Sequence, residues 1–256
     1  MPHDQVRLEV DGPIATVTLA RPEKRNALSL DLMRSVIKTL EAVPADVGVV
    51  VMAAEGKVFS AGHDIAEMMD RPAEYYADLF ATCTDMMTTV RNLRQPVIAR
   101  VQGIATAAGC QLVASCDLAI AADTAWFATP GVKIGLFCHT PMVPVSRAVG
   151  HKRAMQMLLT GDPIDANKAV DWGLINEAVP ADELDDAVTT MARKILRYSK
   201  NTISLGKNTY YAQADMPEDA AYEVATPVMA ANAANENAQE GMGAFLEKRK
   251  AEWKDQ

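Results

Sequence analysis

No run of more than three consecutive basic residues occurs in this chain, and its 256 residues carry a net charge of −8. A surface that tracks nucleic-acid phosphates is therefore not expected, although a single anionic ligand can still meet a local cluster of Lys and Arg. No segment approaches the roughly 20 apolar residues needed to cross a bilayer, so no membrane span is expected either. The opening Met1-Pro2-His3-Asp4-Gln5 lacks the basic and then apolar run of a secretory signal. The four cysteines, Cys83, Cys110, Cys116 and Cys138, show no CxxC spacing. Cys110 and Cys116 lie in an apolar stretch, which reads as buried reduced thiols rather than a disulfide framework. A soluble, cytoplasmic protein is the expectation. Also missing are a GxSxG elbow, a GxxxxGKS/T loop, an HExxH pair and a GxGxxG after a strand. No metal and no resident cofactor are expected.

What is present is a chain that is 49% hydrophobic, enough for one sizeable core. Residues 6–10 and 14–19 alternate apolar and polar around Asp11-Gly12, as a hairpin does. Residues 30–43 have helical periodicity, with Ser29 placed as an N-cap. Residues 47–53 form a continuous Val-rich run, the pattern of a strand buried on both faces. A Gly-containing loop at 56–62 and a helix at 73–94 follow.

The same logic then recurs. A strand at 97–101 leads into a small-residue loop at 103–109 and a buried helix at 110–116. Short strands at 118–122 and 126–128 come next. Alternation of strand, loop and helix argues for an α/β core rather than a bundle. From about Ala166 the composition turns helical and polar-faced, with helices expected at 182–199, 217–232 and 235–250. Pro217 and Gly241 interrupt any single long helix there.

Two segments end a buried strand in small residues and begin a helix. They are Phe59-Ser60-Ala61-Gly62-His63-Asp64-Ile65, with Asp64 as a cap, and Gly103-Ile104-Ala105-Thr106-Ala107-Ala108-Gly109-Cys110-Gln111. N–H groups at such starts have no partner of their own, and small side chains let a ligand approach the backbone. Brought together, two starts can donate to one carbonyl oxygen, which is an oxyanion hole. Tight packing alone explains the small residues equally well.

Six stretches in order resemble the crotonase (enoyl-CoA hydratase/isomerase) superfamily. They are Arg21-Pro22-Glu23-Lys24-Arg25-Asn26-Ala27-Leu28, Phe59 to Met68, Gly103 to Asp117, Phe127 to Gly135, the segment holding Trp172-Gly173-Leu174-Ile175, and Glu240-Gly241-Met242-Gly243-Ala244-Phe245-Leu246-Glu247-Lys248-Arg249. Each is weak alone, and their order over nearly the whole chain makes the resemblance strong. It implies an α/β fold, a ClpP-like spiral of repeated ββα units over residues 1–200. Residues 201–256 become a helical region for trimerisation and for covering coenzyme A. It also implies an acyl-CoA thioester as partner and a homotrimer or a dimer of trimers.

Carried over residue by residue, the oxyanion-hole N–H groups belong to His63 and Ala108. Lys24, Arg25, Ala61 and Ile65 match positions along the CoA path, and Lys57 matches a basic position near the CoA phosphates. Phe245 and Lys248 match positions that close over CoA, often on a neighbouring subunit. Ala66 stands where many members have Lys.

The departures are at the acid and base. Family hydratases use two glutamates, and here those positions are Gln111 and Gly131. Neither can exchange a proton near neutral pH. An amide can orient a water, whereas Gly131 is read as backbone beside a void. Each lost group typically removes roughly 10²–10⁴-fold in rate, so ordinary hydration is in doubt. His139 is the candidate replacement because imidazole titrates near working pH. A loop histidine bonded to backbone is the bland alternative. Cys138 could act as a nucleophile only with an adjacent base. Asp64 and Asp117 read as caps, and Thr106 and Thr129 as pocket polar groups. The variant segments resemble one subgroup that shares the missing glutamates. An acyl-CoA enzyme with a non-standard proton carrier is the first reading, and a non-catalytic acyl-CoA binder the second. Restoring both carboxylates, by Gln111→Glu with Gly131→Glu, is expected to raise hydration of crotonyl-CoA.

Overall fold

The structure is a computed structural model that describes residues 5–255. Met1 to Asp4, part of the stretch scanned above for a secretory signal, lie outside the described residues. β1 (Val6–Asp11) and β2 (Ile14–Leu19) form the expected antiparallel hairpin, turning at Gly12-Pro13. α1 (Leu30–Glu41) starts where Ser29 accepts a hydrogen bond from the Leu32 N–H.

Three turns of a spiral follow, each a strand in a large sheet, a short strand in a small sheet, then helix. In the first, β3 (Val49–Ala54) and β4 (Val58–Ser60) lead into α2 (Ile65–Met68) and α3 (Ala73–Asn92). In the second, β5 (Val97–Val101) and β6 (Ile104–Thr106) lead into α4 (Ala108–Ser115). In the third, β7 (Leu118–Ala122) and β8 (Trp126–Ala128) lead into a 3-10 turn at Pro130–Ile134, α5 (Met142–Val149) and α6 (His151–Thr160). β9 (Ile164–Asp165), α7 (Ala166–Trp172), β10 (Glu177–Val179) and α8 (Leu184–Ile195) complete the core. α9 (Lys200–Gln213), α10 (Glu218–Ala233) and α11 (Glu236–Glu247) extend from it. The sheets run β1-β2-β3-β5-β7-β10 and β4-β6-β8-β9, with the central strands of both parallel. This is the ββα spiral that the resemblance implies.

The fully apolar β3 has two hosts, which explains its lack of alternation. Val50 and Met52 join the main core, while Val49, Val51 and Ala53 pack under Leu184, Val188 and Ala192 of α8. Each Val, Leu or Met side chain among them contributes roughly 1.5–3 kcal/mol by leaving water.

Two differences from the sequence reading matter for the site. The loops at 56–62 and 103–109 each contain a three-residue strand, β4 and β6, too short to show a period. These two strands pair in parallel, Val58 with Ile104 and Ser60 with Ala105. Helix α9 was also not anticipated. Its polar face is drawn inward by Asp117, which takes the Lys207 ammonium at 2.7 Å and the Tyr211 hydroxyl at 2.9 Å. Asp117 also accepts the Val97 N–H at 2.7 Å, so its structural reading holds. Burial pushes the Lys207 pKa down, against the pull of Asp117. Removing one member of such a buried pair is more damaging than the pair is stabilising.

Candidate functional site

Parallel pairing of β4 with β6 brings the two small-residue loops side by side. A Cβ on Gly109 would overlap the Ser60 carbonyl, and the Thr106 hydroxyl donates to the Ala61 carbonyl at 3.1 Å. Gly62, at φ +86°, sits against the second loop so closely that a Cβ would lie 2.8 Å from the Ala107 Cβ and 3.3 Å from the Ala108 nitrogen. A left-handed φ and no room for a methyl both require glycine there. Gly62, the residue before His63, is thus packed closely against the backbone that carries Ala108.

Ala107 pays for the arrangement. It is a non-glycine residue at φ 50°, ψ −118°, a conformation that costs about 1–3 kcal/mol. The cost is offset by the Ala107 N–H bonding the Ala128 carbonyl at 2.9 Å and by Gln111 N–H bonding the Ala107 carbonyl at 3.0 Å. On the other loop, the Leu28 N–H holds the Gly62 carbonyl at 2.7 Å and Asp64 caps α2 by accepting from the Ala66 N–H. Among the described residues, neither the His63 nor the Ala108 N–H has an acceptor. Two adjacent free donors at the ends of buried strands can take one carbonyl oxygen.

The side chain of His63 is a separate matter. Its ring stands edge-on to Phe80 at 5.3 Å, and its Nε2 is buried without a partner. Burial lowers its pKa to about 4, so the ring is neutral at physiological pH. His139 is different: it is exposed on its loop, tilted against Phe137 at 5.1 Å.

Gln111 and Gly131, which the resemblance matches to glutamates, sit in surroundings the sequence did not reveal. Gln111 is 3% exposed on α4, and its Oε1 faces the Cys83 sulfur at 3.8 Å. Gly131 has no void beside it, which corrects the sequence reading. A Cβ there would overlap the Leu136 carbonyl oxygen and come 2.9 Å from the Cys138 sulfur. The 3-10 turn closes on itself, with the Leu136 N–H bonding the Gly131 carbonyl at 3.0 Å, and so fills the space. Burial raises the Cys138 pKa and pushes those of Cys83 and Cys110 up to about 12. These thiols are neutral, and all four cysteines are free and buried. Thr129, fully buried, leaves its hydroxyl unpartnered.

Three expected CoA contacts gather on one rim. The Arg25 carbonyl accepts the Ala61 N–H at 3.1 Å, Lys24 precedes it, and Lys57 is pressed against Gly103. All three cations are exposed, and none forms an ion pair among the described residues. Ile65 is 46% exposed beside them. Phe245 and Lys248 are not brought to this rim within one chain. Phe245, 81% exposed, lines a groove with Tyr198, Met229 and Trp253, and Lys248 caps α11. No group of three or more His, Cys, Asp or Glu among the described residues is placed to hold a metal. No helix among them is long and apolar enough to cross a membrane.

A model of the enoyl-CoA hydratase/isomerase family matches residues 9–256. The mouse mitochondrial enoyl-CoA hydratase domain-containing protein 3 is 46% identical over 95% of this chain and 82% of its own length. The crystal structure of an enoyl-CoA hydratase from Mycobacterium smegmatis superposes with a TM-score of 0.95 at 45% identity, covering 97% of this chain and 98% of that one. The structure of human enoyl-CoA hydratase domain-containing protein 3 gives 0.94 at 44% identity, covering 97% and 100%. The subgroup resemblance read from the sequence is thus found across 95% of the chain. The cytoplasmic expectation is corrected: the mouse and human relatives are both named mitochondrial. The sequence reading looked for a secretory pattern, and mitochondrial targeting segments are instead amphipathic and Arg-rich.

Proposed function

Because this chain belongs to the enoyl-CoA hydratase/isomerase family, we propose that it takes an acyl-CoA thioester and holds the thioester oxygen between the N–H groups of His63 and Ala108. The observation that carries this reading is Gly62 packed against Ala107 and the Ala108 nitrogen, with both N–H groups free of internal acceptors. Such donors stabilise the negative charge that develops on the oxygen as a thioester becomes its enolate. Losing one donor of this kind typically costs roughly 10²–10³-fold in rate. The unpaired Lys24, Arg25 and Lys57 are suited to the phosphates of CoA, despite the net charge of −8. No cofactor beyond the CoA of the substrate is invoked.

Two-glutamate hydration is not the reaction proposed. The protein acts on the enolate with another proton carrier, for which His139 or a water held by Gln111 are the candidates. The packed turn at Gly131 supports a second reading, a protein that binds acyl-CoA without turning it over. We also propose a homotrimer or dimer of trimers, in which exposed Phe245 and Leu246 meet a neighbour and Phe245 with Lys248 close over its CoA. Light scattering would show a multiple of three chains, and a monomer would sink that part.

The test of the function is a panel of enoyl-, 3-hydroxyacyl- and malonyl-type CoA thioesters followed by mass spectrometry, with wild type and His139→Ala. Turnover of any class supports the enzyme reading, and loss in His139→Ala assigns the proton carrier. Tight binding without turnover across the panel selects the second reading. Absence of binding overturns both.

A further inference from the structure

A cavity of about 730 Å³ has Gln111, one turn of α4 beyond Ala108, in its wall and runs on along α3 and α4. Successive turns of α3 lead from the His63 ring into it. Phe80 touches His63, Cys83 touches Gln111, Thr84 and Met87 line the cavity, and Arg91 stands at its far end. Along α4 the order is the same, from Ala108 at the first residue to Gln111, Ala114 and Ser115 in the wall. Eight residues of α4 span about 12 Å, the length of a medium acyl chain rather than a short one. Met87, Val143 and Leu174 give the wall apolar stretches, and its charged side chains are those of Arg91, Asp117, Arg147 and Asp215.

Of these, Arg147 bonds Asp215 at 3.2 Å, and Asp117 is neutralised by Lys207 at 2.7 Å. Arg91 remains. It donates one N–H to the Tyr211 carbonyl at 3.1 Å and lies over the Tyr211 ring at 4.5 Å, with no carboxylate in ion-pair range among the described residues. A planar guanidinium fixed at the end of an otherwise neutralised cavity has the geometry to take a carboxylate through two N–H groups. We propose that the cavity receives the distal part of the acyl group and that Arg91 binds a carboxylate at its end, making the substrate class a medium-chain acyl-CoA with a terminal carboxyl. This rests on the acyl-CoA reading above.

The test is calorimetric titration of crotonyl-, octanoyl- and suberyl-CoA into wild type, Arg91→Met, Arg91→Lys and Ala114→Trp. Octanoyl and suberyl have equal carbon counts and differ in the terminal carboxyl, and crotonyl stops short of the cavity and reports on its head. Suberyl-CoA is expected to bind wild type about tenfold more tightly than octanoyl-CoA. Arg91→Met removes that ratio, Arg91→Lys keeps part of it, and Ala114→Trp weakens both eight-carbon ligands relative to crotonyl-CoA. Should Arg91→Met fail to fold, the lysine and tryptophan variants decide. Equal affinity of octanoyl- and suberyl-CoA for wild type, or a ratio that survives in Arg91→Met, overturns the proposal while leaving the acyl-CoA reading standing. No binding of any thioester overturns both.

Discussion

The loops that carry His63 and Ala108 and the turn that carries Gly131 are neighbours, yet they use glycine for opposite ends. At Gly62 the missing Cβ holds two backbone segments in contact and leaves their N–H groups free. At Gly131 the missing Cβ makes room for the Leu136 carbonyl and the Cys138 thiol of the same turn. One glycine keeps a site open, and the other lets a site be filled. Groups made of backbone tolerate change of side chain, as His63 illustrates. An acid or base made of a side chain needs both that side chain and room for it, and beside Gly131 there is none.

Breaking the filled side gives the largest expected effect. Gly131→Glu must displace a backbone carbonyl, so it should destabilise by about 3 kcal/mol and yield no hydratase, alone or with Gln111→Glu. Thermal unfolding and a crotonyl-CoA hydration assay read both. This reverses the gain expected when Gly131 was taken to face a void, and a hydrating double variant would reinstate that expectation.

The next effect concerns the buried ring of His63. The fold favours its neutral form, with a pKa near 4 against an ordinary 6.5. As pH falls below 6.5 the unfolded chain takes the proton first, so stability drops until about pH 4, by about 3 kcal/mol in all. Denaturant unfolding between those pH values should show the slope, and His63→Leu should flatten it. An unchanged slope in the variant would place the titrating group elsewhere.

Gly62→Ala attacks the open side directly. Its methyl meets the Ala107 methyl at 2.8 Å on a backbone at φ +86°. About 1–2 kcal/mol of stability should be lost, together with most acyl-CoA affinity. Full affinity in a folded variant would detach binding from this contact.

Gln111→Glu is the mildest change, since the side chains match in shape. A carboxylate 3% exposed should titrate high and cost about 1 kcal/mol or more. It should give a small gain in hydration over wild type, because one proton carrier is restored without its partner. A gain equal to a two-carboxylate enzyme would mean Gly131 is not limiting.

Much of the architecture was legible. β3 appeared as an apolar run because both its faces are buried, and Ser29 was recognisable as a cap. The loops at Gly62 and Ala108 were identifiable as small-residue helix starts, and the family resemblance supplied their pairing. What stayed hidden depends on contacts distant in sequence. β4 and β6 are too short to carry a period. Helix α9 has little amphipathic signal, because Asp117 captures its Lys207 and Tyr211. The filling of Gly131 comes from Leu136 and Cys138, and no local pattern at 131 announces it. Phe80, Cys83, Thr84, Met87 and Arg91 fall on one helical face, a spacing that a buried core face shows equally well.

The central claim is that the thioester oxygen sits between the N–H groups of His63 and Ala108. Infrared difference spectroscopy of bound butyryl-CoA, carbon-13-labelled at the thioester carbonyl, tests it most directly. The account predicts a carbonyl stretch moved to lower frequency on binding, as two hydrogen bonds polarise it. A stretch at the frequency of the free ligand, on a thioester shown by titration to be bound, would contradict it.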